Sequence, residues 1–74
     1  MIFVDMKIFG LNKTVDIKFD EAMTVEELIG EIIAAFEIRD KRLQMVSVRN
    51  KAILNKKMTF EEQGILGGDT LMLI

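Results

Sequence analysis

The side chains able to do acid–base chemistry in this chain are twelve carboxylates and ten lysines or arginines. Histidine and cysteine are both absent, which removes the two commonest routes to an activated nucleophile and to a zinc site. Nothing in the order of the residues marks any two carboxylates as an acid and a base. The sequence therefore offers no catalytic residues, no metal ligands and no cofactor site, and an enzyme is not expected. Asn12-Lys13-Thr14 matches the glycosylation sequon. The start Met1-Ile2-Phe3-Val4-Asp5 has neither a basic segment nor a long apolar stretch, so no secretory signal, and with it no glycosylation, is expected. No apolar run approaches the roughly 18 residues that span a membrane. The expected location is cytoplasmic.

Charge is arranged unevenly. Residues 14–40 carry eight acids and two bases, whereas residues 41–57 carry six bases and no acid. An acidic helix side facing away from a basic third-strand region would orient a partner; two solvated faces are the plainer reading. The basic stretch Lys41, Arg42, Arg49, Lys51, Lys56 and Lys57 also raises nucleic acid as a ligand. Against it stand an overall pI of about 5.0 and the lack of tyrosine or tryptophan to stack on bases, so no nucleic acid is expected.

The elements that carry these charges can be read from periodicity. In residues 2–9, Ile2, Val4, Met6 and Ile8 alternate with Phe3, Asp5, Lys7 and Phe9, the pattern of a half-buried strand. Gly10-Leu11-Asn12-Lys13 is turn material, and Val15, Ile17 and Phe19 then alternate with Asp16, Lys18 and Asp20, completing a hairpin. Thr24 and Glu27 form a capping box, with Met23 and Leu28 at the positions of a hydrophobic staple. Val25, Leu28, Ile29, Ile32, Ile33 and Phe36 follow at helical spacing as one stripe. Gly30 weakens that helix, and its small size is expected to let the helix lie close to the sheet.

Beyond a charged connection at 38–42, Val46 and Val48 are expected to point inward, with Met45, Ser47 and Arg49 outward, on a third strand. Asn50-Lys51 turns into a short fourth strand near 52–54, residues 61–64 read as a single helical turn, and Gly67-Gly68-Asp69 leads into a last strand at 70–74 with Leu71 and Leu73 inward. With 74 residues, half of them hydrophobic, and no linker or repeat, the chain reads as one domain over 1–74. A domain of this size cannot readily give up core positions to a buried active site.

Hairpin, helix, strand, short strand, turn and last strand, in this order and spacing, resemble the ubiquitin family. The resemblance rests on Thr14 to Phe19 running into Thr24 to Leu28, on Thr59-Phe60, and on Ile65 to Ile74. It implies an α+β, ubiquitin-like β-grasp: a mixed five-stranded sheet, order 2-1-5-3-4, packed on one main helix. Family members that are conjugated or carry sulfur act through a flexible tail ending in two glycines. Here the only such pair, Gly67-Gly68, precedes the last strand, so neither conjugation nor sulfur transfer is expected. The family's interaction face centres on an isoleucine whose matching position here is Ser47, and ubiquitin receptors are not expected to recognise it. Leu28-Ile29 with the apolar run after them, and the closing Gly68-Asp69-Thr70-Leu71-Met72-Leu73-Ile74, are more similar to the YukD/EsaB family. That resemblance implies a small cytosolic accessory or regulatory component of a bacterial type VII (WXG100) secretion system. A ubiquitin-like adaptor domain in an unrelated bacterial complex is the alternative.

Strand order and outward alternation together place Phe9, Met45, Met72 and Ile74 near one another, with Leu11 in the adjacent loop and Ser47, Lys7 and Arg49 at the rim. Clustered apolar side chains on a small domain mark a partner surface, and methionine adapts to irregular partners. The expected protein-interaction residues are therefore Phe9, Leu11, Met45, Ser47, Met72 and Ile74. A patch covered by the chain itself, paired in a homodimer, or merely scattered is the competing reading.

Overall fold

In the computed structural model, which describes residues 1–40 and 42–74, the alternating N-terminal segments form an antiparallel hairpin. Strand β1 spans Ile2–Ile8 and β2 spans Lys13–Phe19, with Val4 opposite Ile17 and Met6 opposite Val15. A 3-10 turn at Phe9–Leu11 joins them. Asn12 closes it in the left-handed conformation, φ 51°, and its amide donates to the Phe9 carbonyl. Asparagine takes that conformation more readily than most residues because its short polar side chain can bond locally.

Helix α1, Val25–Phe36, begins as its capping residues require. The Glu27 amide donates to Thr24 Oγ1 at 3.2 Å, and the Thr24 amide donates to Glu27 Oε1 at 3.1 Å. Two N-terminal amides that have no partner inside the helix are thereby satisfied. Val25, Leu28, Ile29 and Ile32 are buried against the sheet, while Met23, Ile33 and Phe36 pack at the margin of the core. The helix ends at Glu37, whose φ of 54° reverses the chain; the Ile38 amide donates back to the Ile33 carbonyl and Ile38 packs on the core. Gly30 does not have the role expected of it. A Cβ at that position would meet nothing within 4 Å, so its small size does not set the approach of helix to sheet.

Strands β3 (Met45–Ser47), β4 (Ala52–Ile53) and β5 (Thr70–Leu73) complete a sheet ordered β2-β1-β5-β3-β4. Strand β5 runs parallel to β1, and every other pairing is antiparallel. This is the mixed α+β grasp that the resemblance implies, with α1 across one face. Phe60, Met6, Val25 and Leu71 are fully enclosed between the layers, and the rings of Phe19 and Phe60 meet at 4.5 Å with a 57° tilt.

Two further expectations are corrected. The phase of β3 is the reverse of that expected: Met45 and Ser47 are fully buried, Val46 is half-buried and Val48 is exposed. Residues opposite one another across two strands share a face. Met45 lies opposite Leu73 and Ser47 opposite Leu71, and both leucines are core residues, so Met45 and Ser47 must point inward with them. The buried hydroxyl of Ser47 is satisfied because its Oγ accepts the Asn50 amide at 3.2 Å, which also shapes the turn into β4. The second correction concerns 61–64, which form hydrogen-bonded turns rather than a helical segment. A second Thr-x-x-Glu pair holds them, since the Thr59 amide donates to Glu62 Oε1 at 2.9 Å and the Glu62 amide to Thr59 Oγ1 at 3.0 Å. Hydrogen bonds from the Thr59 amide and, second to it, the Thr59 hydroxyl pull the Glu62 carboxyl below its ordinary value.

Candidate protein-interaction surface

Reversing β3 relocates the outward apolar residues without removing them. Following the register across the sheet, Thr14, Lys7, Met72, Val46 and Ile53 stand in one row from β2 to β4. One level away, Ile74 is held beside Gln44 by reciprocal main-chain bonds of 2.8 and 2.9 Å, and at the other end the Val48 amide donates to the Thr70 carbonyl at 3.1 Å. Strands β5, β3 and β4 thus present an aliphatic strip to solvent. Ile53 is 62% exposed, Ile74 45% and Val48 42%, with Met72 and Val46 half-buried between them.

Four of the six expected contact residues reach the surface. Met72 and Ile74 belong to the strip. Phe9, which is exposed, follows Ile8 opposite Leu73 and so stands beside the end of β5, with exposed Leu11 in the same turn. Met45 and Ser47 do not take part, because both are sealed in the core. Their places are taken by Val46, Val48 and Ile53, which sequence reasoning missed. The signal that could have found them was the pair Leu71 and Leu73: once these point inward, antiparallel pairing dictates which residues of β3 do so. The outward residue at the centre of β3 is consequently Val46, an aliphatic side chain where the expectation has a hydroxyl. A hydroxyl at that place therefore does not set this face apart from one that ubiquitin receptors recognise.

The rim is less basic than its composition suggests. The Arg49 guanidinium is spent on Asp69, donating from Nε to Oδ1 and from Nη2 to Oδ2 at 2.9 Å each, and Nη2 also donates to the Gly64 carbonyl at 2.7 Å. Asp69, 9% exposed, accepts the Leu66 amide at 3.0 Å as well. Arg49 holds the Asp69 carboxyl below the usual carboxylate range, outweighing the opposite push of burial. Lys57 is paired with Glu26 at 2.9 Å. Of the basic stretch, Arg42, Lys51 and Lys56 remain outside the ion pairs found among the described residues, and Lys41 lies outside the described residues.

The glycine pair is built into the sheet. The Gly68 amide donates to the Phe3 carbonyl at 2.8 Å with φ at 90°, and the Asp5 amide donates to the Asp69 carbonyl at 3.0 Å. Exposing a carboxylate at Gly68 would require removing β5, with fully buried Leu71 and Leu73, from the middle of the sheet. Among the described residues no group of three or more carboxylates is placed to hold a metal, and no helix is long and apolar enough to cross a membrane.

Comparison with known proteins agrees with the fold. The sequence model of a family described as WXG100 protein secretion system (Wss), protein YukD, matches residues 3–73. No curated protein sequence matches the chain. Among solved structures, a protein designed de novo on the basis of ubiquitin superposes with a TM-score of 0.80 at 22% identity, over 99% of this chain and 85% of that one. The N-terminal ubiquitin-like domain of the 4931431F19Rik protein, solved in solution, gives a TM-score of 0.82 at 20% identity, over 99% of this chain and 72% of that one. At such identities the likeness speaks to the fold alone.

Proposed function

Because the chain belongs to the YukD family of WXG100 secretion-system proteins, we propose that it is a non-conjugated, ubiquitin-like protein-binding module of such a system. It acts in the cytosol as one domain over 1–74, in an accessory or regulatory role, and its partners are other components of the secretion apparatus. A second copy of the chain is among the protein partners this reading admits. The observation that carries the reading is the aliphatic strip Met72, Val46, Ile53, Val48 and Ile74. Most apolar side chains of the opposite sheet face pack into the core beneath α1, whereas none of these five is among the described residues packed there. Apolar area concentrated on three adjacent strands is what a partner surface supplies.

The test is binding of the purified protein to the soluble domains of WXG100 secretion components by titration calorimetry. The chain is expected to bind at least one of them, and Val46→Lys with Ile53→Lys is expected to weaken that binding by at least about 2 kcal/mol, the scale of a central contact. Both positions reach solvent, so the fold should persist in the variant. A folded variant that binds as tightly as the parent, or a parent that binds no component, refutes the proposal.

A further inference from the structure

The two edges of the sheet are unequal. Strand β4 has two residues, whereas β2 has seven and, among the described residues, is flanked only by β1. In an antiparallel ladder the main-chain groups of alternate residues point to opposite sides, so about half of those on β2 face away from β1. Such an edge is a template for another strand. Beside it runs a groove of about 330 Å³ between β2 and α1, whose apolar lining is Ile17, Leu28, Ile32, Ala35 and Phe36.

An unresolved charge sits on the other face of the same edge. Asp16 lies directly opposite Asp5, and like charges in that relation destabilise a strand pair. The two carboxyls accommodate each other by hydrogen bonding, which raises the Asp16 carboxyl above its ordinary value. Neither forms an ion pair with any described residue. Lys18, on the same face as Asp16, instead places its ammonium 5.4 Å from the centre of the Phe3 ring.

We infer that two copies of this chain join edge to edge through β2, antiparallel about a two-fold axis at Ile17, so that two five-stranded sheets become one. In this register Ile17 faces Ile17, Val15 faces Phe19 twice, and Asp16 faces Lys18 twice. Charge selects it: moving the axis to Asp16 or to Lys18 would set like charges against each other. Each copy thereby supplies the cation that the other's Asp5–Asp16 pair lacks. On the inner face the two grooves meet at the paired Ile17 residues, and their apolar linings become continuous. An unrelated extended peptide could use the edge through its main chain, but it would not need this order of charges; a second copy carries it. The contact is one strand wide, in the class below about 1,200 Å², so the dimer is weak and reversible. It leaves the strip on β5, β3 and β4 uncovered on both copies, and it stands independently of the function proposed for that strip.

Sedimentation equilibrium from micromolar to millimolar protein tests this with charge swaps. The parent is expected to dimerise. Asp16→Lys alone and Lys18→Asp alone each turn two attractive pairs into two repulsive ones and should weaken dimerisation at least about tenfold. Mixing these two variants should produce a heterodimer, and the double variant D16K/K18D should dimerise like the parent. Both positions are exposed, and circular dichroism reports that each variant is folded. A parent that stays monomeric to millimolar concentration overturns the inference. So do single variants that dimerise as tightly as the parent, or a mixture that forms no heterodimer.

Discussion

Met45 and Val46 are neighbours with opposite fates, and the contrast tests the packing at single-residue resolution. Met45 is fully buried opposite Leu73, so Met45→Lys places an unpaired ammonium among aliphatic side chains. That substitution should cost upwards of about 3 kcal/mol and leave little folded protein in a thermal melt. Val46→Lys, one residue along, should melt close to the parent. The reverse outcome would restore the phase expected from the sequence. Asp69 makes a second residue-scale prediction. Its carboxyl is held below the ordinary 3.8 in the folded protein, so its contribution to stability is present above that value and lost as pH falls through the lowered one. Asp69→Asn should therefore destabilise by about 1–3 kcal/mol at neutral pH. It should also flatten the acid limb of a stability–pH curve below about pH 4. An unchanged acid limb would show that the pair with Arg49 does not act in solution.

At the scale of elements, α1 carries an avoidable cost. Gly30 faces open space, with no neighbour within 4 Å of a Cβ built there, and it sits mid-helix in ordinary backbone conformation. Gly30→Ala should stabilise by roughly 1 kcal/mol, which for a domain of this size raises the thermal midpoint by about 4–8 °C. A lowered midpoint would mean that the glycine is needed for packing after all. The elements that were legible in the sequence share a property: each is long enough for its period to repeat. The hairpin shows alternation over seven residues in each strand, and α1 combines a capping box with a twelve-residue stripe. Strand β3 has three residues, too few for alternation alone to separate one phase from the other. Two valines outweighed a methionine and a serine in the local reading, and the pairing of Met45 and Ser47 with Leu73 and Leu71 decided against them. The Thr59–Glu62 pair was visible as the same Thr-x-x-Glu pattern that marks Thr24–Glu27, but no apolar run follows it to announce an element.

For the molecule as a whole, the fold was more legible than the site because the two depend on different evidence. The order of elements follows from turns, caps and periodicities that recur along the chain, so an error in one short strand leaves the β-grasp standing. The proposed interaction surface depends on which side of each strand faces out, and there the same error moved Met45 and Ser47 into the core and brought out Val46 and Val48. Met72 and Ile74 were placed correctly because β5 alternates around two leucines whose burial was plain from the pattern. The Gly67-Gly68 pair shows the same division. Its position before β5 was readable, while its anchoring to the Phe3 carbonyl, next to Asp69 clamped by Arg49, required the parallel pairing of distant strands.

The central claim is that the aliphatic strip on the outer face of β5, β3 and β4 is where another protein binds. Amide chemical shifts of the isotope-labelled chain, followed while soluble domains of WXG100 secretion components are added, test it most directly. The account predicts that binding perturbs Val46, Val48, Ile53, Met72 and Ile74 first and most, with the outer surface of α1 little changed. Perturbations centred on α1, or none with any component, would contradict it.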